Sequence, residues 1–113
     1  MVKRGEIWWV DFGDLVGSEP GYRRPAVIVS SDRFNSSNIA TVIVCAVTSN
    51  LRLSQAPGNV ELVSGTAGLS KPSVVNVSQT LVINKSRLFQ RAGSLGLVDM
   101  RRIDDGLRLV LEL

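Results

Sequence analysis

The chain has 113 residues, 44% hydrophobic and 20% charged, with a net charge of +3 from 13 Lys+Arg against 10 Asp+Glu. This is the size and composition of one ordinary globular domain, residues 1–113, and the mild basic excess permits a polyanionic partner without demanding one. There is no histidine and one cysteine, Cys45, which excludes an internal disulfide, His-based acid–base catalysis and the commonest zinc sites, and suits a reducing cytoplasm.

The opening, Met1-Val2-Lys3-Arg4-Gly5-Glu6, carries no apolar signal region, and no apolar run approaches the ~18–20 residues that span a bilayer, so neither secretion nor a membrane is expected. Ile7-Trp8-Trp9-Val10-Asp11-Phe12 is aromatic and β-branched and predicts a strand. Residues 13–24 hold three glycines, Ser18 and Pro20 and predict a loop. Loops of this length in compact domains tend to be functional. Pro25-Ala26-Val27-Ile28-Val29-Ser30 predicts a second strand, in which proline fits only at the start. Ser31 can cap a short helical turn over the next four residues. Thr41-Val42-Ile43-Val44-Cys45-Ala46-Val47-Thr48 is continuously apolar, as expected of a strand buried on both faces, and Cys45 reads as a small buried hydrophobe within it. Val60-Glu61-Leu62-Val63, Ser73-Val74-Val75-Asn76-Val77-Ser78 and Thr80-Leu81-Val82-Ile83 complete a set of about six strands. The last two can also be one strand bent near Gln79.

From Leu97 the period changes. Met100, Ile103, Leu107 and Val110 recur at helical spacing and predict one buried face. Arg101 with Asp105, and Asp104 with Arg108, stand at i,i+4 on the opposite side. Gly106 inside this helix costs roughly 1 kcal/mol against alanine. The architecture implied is mainly β: a small, strongly bent antiparallel sheet or partial barrel with short helices, covered by a C-terminal helix.

Few residues remain to carry chemistry. The ten carboxylates form no metal-ligand pattern, so no metal is expected, and no phosphate-binding glycine loop implies a nucleotide cofactor. What is left centres on arginine. Arg23 and Arg24 stand where the long loop meets the second strand, and a guanidinium fixed at a strand's start can grip two phosphate oxygens at once. A pair of solvated surface arginines is the plainer reading. Thr48 closes the most apolar strand, where its hydroxyl can donate into a cleft or simply cap the strand end. Trp8 and Trp9 can stack on bases, although such residues more often belong to core or interface.

Taken together these segments resemble a known family. Gly5-Glu6-Ile7-Trp8-Trp9-Val10-Asp11-Phe12 is similar to the opening strand of the MazF/PemK (Kid) toxins. Gly17-Ser18-Glu19-Pro20-Gly21-Tyr22-Arg23-Arg24-Pro25-Ala26-Val27-Ile28-Val29 resembles their G-S-E-Q-x-x-x-R-P signature and second strand. Ala46-Val47-Thr48-Ser49, Ser73-Val74-Val75 with Gln79, and the C-terminal helix follow in the family's order. The resemblance implies an SH3-like small barrel of the CcdB/Kid/PemK kind, paired as a homodimer. It implies an mRNA interferase: a ribosome-independent endoribonuclease that cuts single-stranded RNA (mRNA, rRNA or tRNA) at short motifs and so arrests translation and growth. By motif position Arg24 and Thr48 correspond to the catalytic pair, and Ser18, Glu19 and Gln79 fall where the family contacts RNA, with Arg23 beside them. A cognate antitoxin with an acidic, extended tail is the implied partner. No cofactor is needed if the 2′-hydroxyl of RNA attacks its own phosphorus, leaving a 2′,3′-cyclic phosphate and a 5′-hydroxyl. Arg24 would stabilise the charge, and whether it also moves protons stays open.

The chain departs from the signature at Pro20, where the family has glutamine, and at Ser78, where some members carry an acid. Both bear on RNA sequence preference. A non-catalytic toxin of the same fold, like the gyrase-poisoning CcdB proteins, is the alternative, and a plain SH3-like peptide-binding module is a weaker one.

Overall fold

The computed structural model describes residues 1–13 and 23–113. Six strands, β1 (Glu6–Asp11), β2 (Arg23–Ile28), β3 (Thr41–Thr48), β4 (Val60–Leu62), β5 (Ser73–Asn84) and β6 (Leu88–Ser94), form one antiparallel sheet in the order β4-β5-β3-β2-β1-β6. Two helices, α1 (Asp32–Asn35) and α2 (Leu97–Leu111), accompany them. The mainly β expectation holds, and so does the cap on α1, where Ser31 Oγ accepts from the Phe34 amide at 3.1 Å. The strand count of six is met differently from the expectation. The two segments either side of Gln79 are the single strand β5, as in the alternative reading of one bent strand, and the sixth strand is Leu88–Ser94, whose mixed composition gives no strand pattern.

The sheet curls until its two faces enclose different things. One face holds Ile7, Val27, Cys45, Val47, Val75 and Val77 and is closed by Met100 and Ile103 of α2. The other holds Val10, Ala26, Ile28, Val42, Val44 and Ile83, with Trp8 packed against them. Alternate residues of β1, β2 and β3 therefore serve opposite clusters, which is why β3 has no polar face. Cys45 is fully buried, and burial pushes its thiol pKa up.

The helix meets the barrel through glycine. A Cβ placed on Gly106 would lie 2.1 Å from the carbonyl oxygen of Gly58, which itself has φ +82°. The glycine that weakens α2 as a helix is thus what lets its backbone touch the loop before β4. A second backbone contact, Gly68 and Gly93 against Ala92 and Ala67, draws the curled sheet together on the β6 side. The polar face of α2 differs from the spacing argument. Asp104 pairs with Arg4 rather than Arg108, while Arg108 pairs with Asp105 at 3.2 Å and Arg102 with Asp99 at 3.3 Å. Val110, expected in the core, is 42% exposed because α2 outruns the barrel it covers.

At the start of β1 sits a buried carboxylate. Glu6 is 7% exposed. Its Oε1 accepts from the Lys3 backbone amide at 2.8 Å and the Trp8 indole N–H at 3.0 Å, and its Oε2 from Arg91 at 3.2 Å. Burial alone would raise the Glu6 pKa, but the bonds from Trp8, Lys3 and Arg91 outweigh it, and the net direction is downward from 4.5.

Two predictions follow from this packing. Gly106→Ala should lower stability by about 1–2 kcal/mol in urea unfolding although alanine is the better helix former, because the added methyl meets backbone that cannot move aside. A stabilised variant would mean that the contact yields. For Glu6, a carboxyl with a lowered folded pKa contributes stability above its unfolded pKa and loses it as pH falls through the folded value. Stability of the wild type should therefore decline below about pH 4.5, and Glu6→Gln should flatten that decline. Equal slopes in urea midpoints measured from pH 7 to 3 would exclude this group as the cause.

Candidate active site

Pro25 shapes the site. On the β1 side β2 is paired from Arg23 to Val27, with Trp9 opposite Pro25. On the β3 side the register covers only Ala26–Ile28 against Val44–Ala46. Proline has no N–H to extend that ladder, and Val47 and Thr48 continue beyond it paired only with β5. The two strands part, and their open ends, Arg24 and Pro25 on one and Val47 and Thr48 on the other, border two cavities. The strand thus starts two residues before Pro25, while proline does stand at the start of its doubly paired portion.

One cavity, of about 330 Å³, is walled by Trp9, Pro25, Val47 and Leu69 and rimmed by Ser49, Ser70, Lys71 and Ser73. The other, of about 290 Å³, is lined by Phe12, Ala46, Gln79 and Leu81. Arg24, Val47 and Thr48 line both. Among the described residues the two cavities carry two cations, Arg24 and Lys71, and no carboxylate. Such a composition favours an anion.

The Thr48 hydroxyl is oriented. Its Oγ1 accepts from the Asn50 backbone amide at 3.1 Å, so it is the strand-end cap that the bland reading proposed. The same bond occupies a lone pair and leaves the hydroxyl proton available to donate. Gln79 is delivered by an irregularity in β5. Cys45 faces Thr80 but the next residue, Ala46, faces Asn76, so residues 77–79 bow out of the ladder. Asn59 holds this excursion: its Oδ1 accepts from the Val77 amide at 3.0 Å and its Nδ2 donates to the Leu53 carbonyl at 2.8 Å.

Of the residues named from sequence, Arg24, Thr48 and Gln79 are brought together. Arg23 is not: adjacent residues of a strand face opposite sides, and its guanidinium lies over the Phe89 ring, 4.6 Å from the centroid. Ser18 and Glu19 lie outside the described residues. The tryptophans divide, with Trp9 on a cavity wall and Trp8 bonded to Glu6 and packed in the second cluster. Lys71 was missed. It stands alone in a turn before Pro72, and only the curl of the sheet, which closes that turn over Trp9 and Pro25, gives it a place at the cavity.

Comparison with known proteins gives the family and the fold. A family model described as PemK-like, MazF-like toxin of type II toxin–antitoxin system matches residues 3–111. The endoribonuclease MazF6 of Mycobacterium tuberculosis is 43% identical over 113 residues, covering 100% of this chain and 99% of that protein. The endoribonuclease EndoA of Bacillus subtilis is 32% identical over 113 residues, covering 100% and 97%. Among solved structures, a mycobacterial endoribonuclease in complex with its cognate antitoxin superposes with TM-score 0.82 at 23% identity over 100% of this chain and 97% of that one. MazF of Deinococcus radiodurans superposes with TM-score 0.77 at 24% identity over 99% and 97%. These structural likenesses establish the small-barrel fold.

The excursion of β5 supplies a test of how the site is held. Asn59→Ala should leave the buried Val77 amide without a partner and cost about 1–3 kcal/mol. Urea unfolding should show the loss, and hydrogen exchange should show the Val77 amide opening faster. Unchanged stability would mean that the excursion holds itself.

Proposed function

The chain belongs to the PemK-like, MazF-like toxins of type II toxin–antitoxin systems and is an endoribonuclease toxin, and we propose that Arg24 and Thr48, on the ridge between its two cavities, are the catalytic pair. The observation that carries this reading is their convergence: a guanidinium and an oriented hydroxyl border the same cleft, with Gln79 beside them.

The proposed reaction is consistent with that geometry. The 2′-oxygen of a ribose attacks the adjacent phosphorus, the P–O5′ bond breaks, and the net proton transfer runs from the 2′-hydroxyl to the departing 5′-oxygen. The products are a 2′,3′-cyclic phosphate and a 5′-hydroxyl. Negative charge grows on the non-bridging oxygens of the phosphorane. Arg24 meets it with two parallel N–H donors, and Thr48 adds its hydroxyl. On this reading the charge is met by these donors, and the reaction is independent of metal and ribosome. DNA lacks the attacking group and is not cut. Gln79 offers both an amide donor and a carbonyl acceptor, suited to reading a base edge, and Ser18 and Glu19 of the preceding loop are assigned to RNA contact by their place in the signature.

RNA and an antitoxin are the partners. Single-stranded RNA fits cavities each the size of one nucleotide, with mRNA, rRNA and tRNA as the candidate pools and loss of translation and growth as the outcome. An antitoxin with an acidic, extended tail would present carboxylates to Arg24 and Lys71 in the same cleft. A homodimer would cover the apolar side chains that α2, β5 and β6 expose, among them Leu109, Leu111, Val82 and Phe89. Residues 1–113 act as one domain, since both core clusters draw strands from the two ends of the sequence. No helix of the described residues is long and apolar enough to cross a membrane, and the cytoplasm, where such RNA is found, is the proposed location.

The test is cleavage of a long single-stranded RNA in EDTA, beside Arg24→Ala, Thr48→Val and a DNA of the same sequence. Discrete fragments with cyclic phosphate ends are expected from wild type only. The Arg24 variant should lose at least 100-fold in rate while keeping its fold. Intact RNA with folded wild-type protein would point instead to a toxin that acts by binding a protein.

A further inference from the structure

The cavity on the Trp9 side holds two groups, the Trp9 ring and the Lys71 ammonium, that catalysis by Arg24 and Thr48 does not bring into contact with the reacting bonds. Its walls are apolar: the Trp9 ring, Pro25, Val47 and the buried Leu69. Its rim adds a second cation, Lys71, some distance along the chain from Arg24 and on a different element. The turn that carries Lys71 is tied down. Ser73 Oγ donates to the Lys71 carbonyl at 3.0 Å, and Ser73 is 6% exposed. Trp9 is pinned in turn by its register between Pro25 and Gln90, in the middle of a strand paired on both sides. An apolar slot with a fixed aromatic wall takes a base, and a cation at its mouth takes a phosphate.

From this we infer that the Trp9 cavity is a nucleotide subsite beside the scissile phosphate, in which Trp9 stacks on the base and Lys71 binds the next, non-scissile phosphate. The inference rests on the endoribonuclease reading and deepens it. One phosphate, held at the ridge by Arg24 and Thr48, is to be cut. The neighbouring nucleotide descends into the Trp9 slot, and its own phosphate leaves past Lys71. Lys71 and Trp9 are binding and positioning residues, and neither touches the reacting bonds. The slot measures about 330 Å³, at the small end of ligand cavities, which suits one nucleotide rather than a longer stretch.

The subsite is tested by binding and by kinetics on the full chain. A 2′-O-methyl oligoribonucleotide, which cannot cleave itself, should quench tryptophan fluorescence in the wild type and much less in Trp9→Phe. Lys71→Ala should raise KM about tenfold with a smaller change in kcat. It should also flatten the dependence of log K on log salt by about 0.7, the share of one phosphate on a single strand. Lys71→Arg should restore both, and Lys3→Ala, which removes an equal charge elsewhere, should change neither. If the wild type cleaves RNA while Lys71→Ala matches it in KM and salt slope, or Trp9→Phe is quenched as fully as wild type, the subsite is wrong and the catalytic reading stands. If the wild type neither binds nor cuts RNA, both fall together.

Discussion

A sheet that has to stay open at one place needs a reason not to zip shut, and in this chain the reason is a missing hydrogen-bond donor. β2 lies between β1 and β3, where every backbone N–H is normally spoken for. Pro25 has none, so the ladder to β3 begins only at Ala26. The parting of the strands makes a cleft, while the β1 side, still paired through Trp9, keeps the freed end rigid. Arg24 is on that rigid end. A flexible loop would have placed the same guanidinium with an entropy cost at each turnover, whereas here the direction is set by the sheet. The second strand contributes in the same way: Thr48 is the last residue of β3 to be held, by β5 on one side and by its own bond from the Asn50 amide.

The rest of the barrel can be understood as support for that opening. A sheet with a gap in one ladder needs compensating closure elsewhere. It is found in the two backbone-to-backbone contacts that only glycine permits, Gly106 with Gly58 and the pair Gly68 and Gly93 with Ala92 and Ala67. The first fixes α2 over the core and the second brings the turn preceding Lys71 against β6. The first lies away from the cleft, the second runs directly into Leu69 on the wall of the Trp9 cavity, and both trade local propensity for approach distance. The bow in β5 is the same kind of trade. Three residues leave the ladder, Asn59 replaces the lost pairing, and Gln79 is carried to the rim of the second cavity.

These trades explain what could be read from the sequence and what could not. β1, β3 and α2 were legible because their apolar period follows from burial, and burial is a property of each segment taken alone. β6 was not, since Leu88–Ser94 is mostly exposed and becomes a strand by pairing with β1, a partner some eighty residues earlier. Gly106 read as a defect until the Gly58 carbonyl accounted for it. At the site, Arg24, Thr48 and Gln79 were named from their places in a motif, and the fold brings all three to one cleft. Between Arg23 and Arg24 the following Pro25 already favours Arg24, and strand alternation is what sends one to Phe89 and the other to the cavities. Lys71 carried no signal because its position depends wholly on the curl of the sheet.

The absence of histidine then takes on a definite meaning. A ribonuclease with paired imidazoles can shuttle protons and needs little from its surroundings beyond placement. A chain with no imidazole must lower the barrier chiefly by stabilising charge, and charge stabilisation depends on the local dielectric and on how little the donors must reorganise. For the proposed pair, Arg24 and Thr48, both demands fall on the walls of the cleft. Val47 lines both cavities with apolar surface, Trp9 adds to one and Ala46 and Phe12 to the other, and strand pairing holds the backbone at Arg24 and Thr48. The hydrophobic residues around Arg24 are in that sense part of the proposed chemistry. A substitution that admitted water to the cleft while leaving Arg24 and Thr48 in place would weaken the reaction by the same electrostatic route as losing a donor.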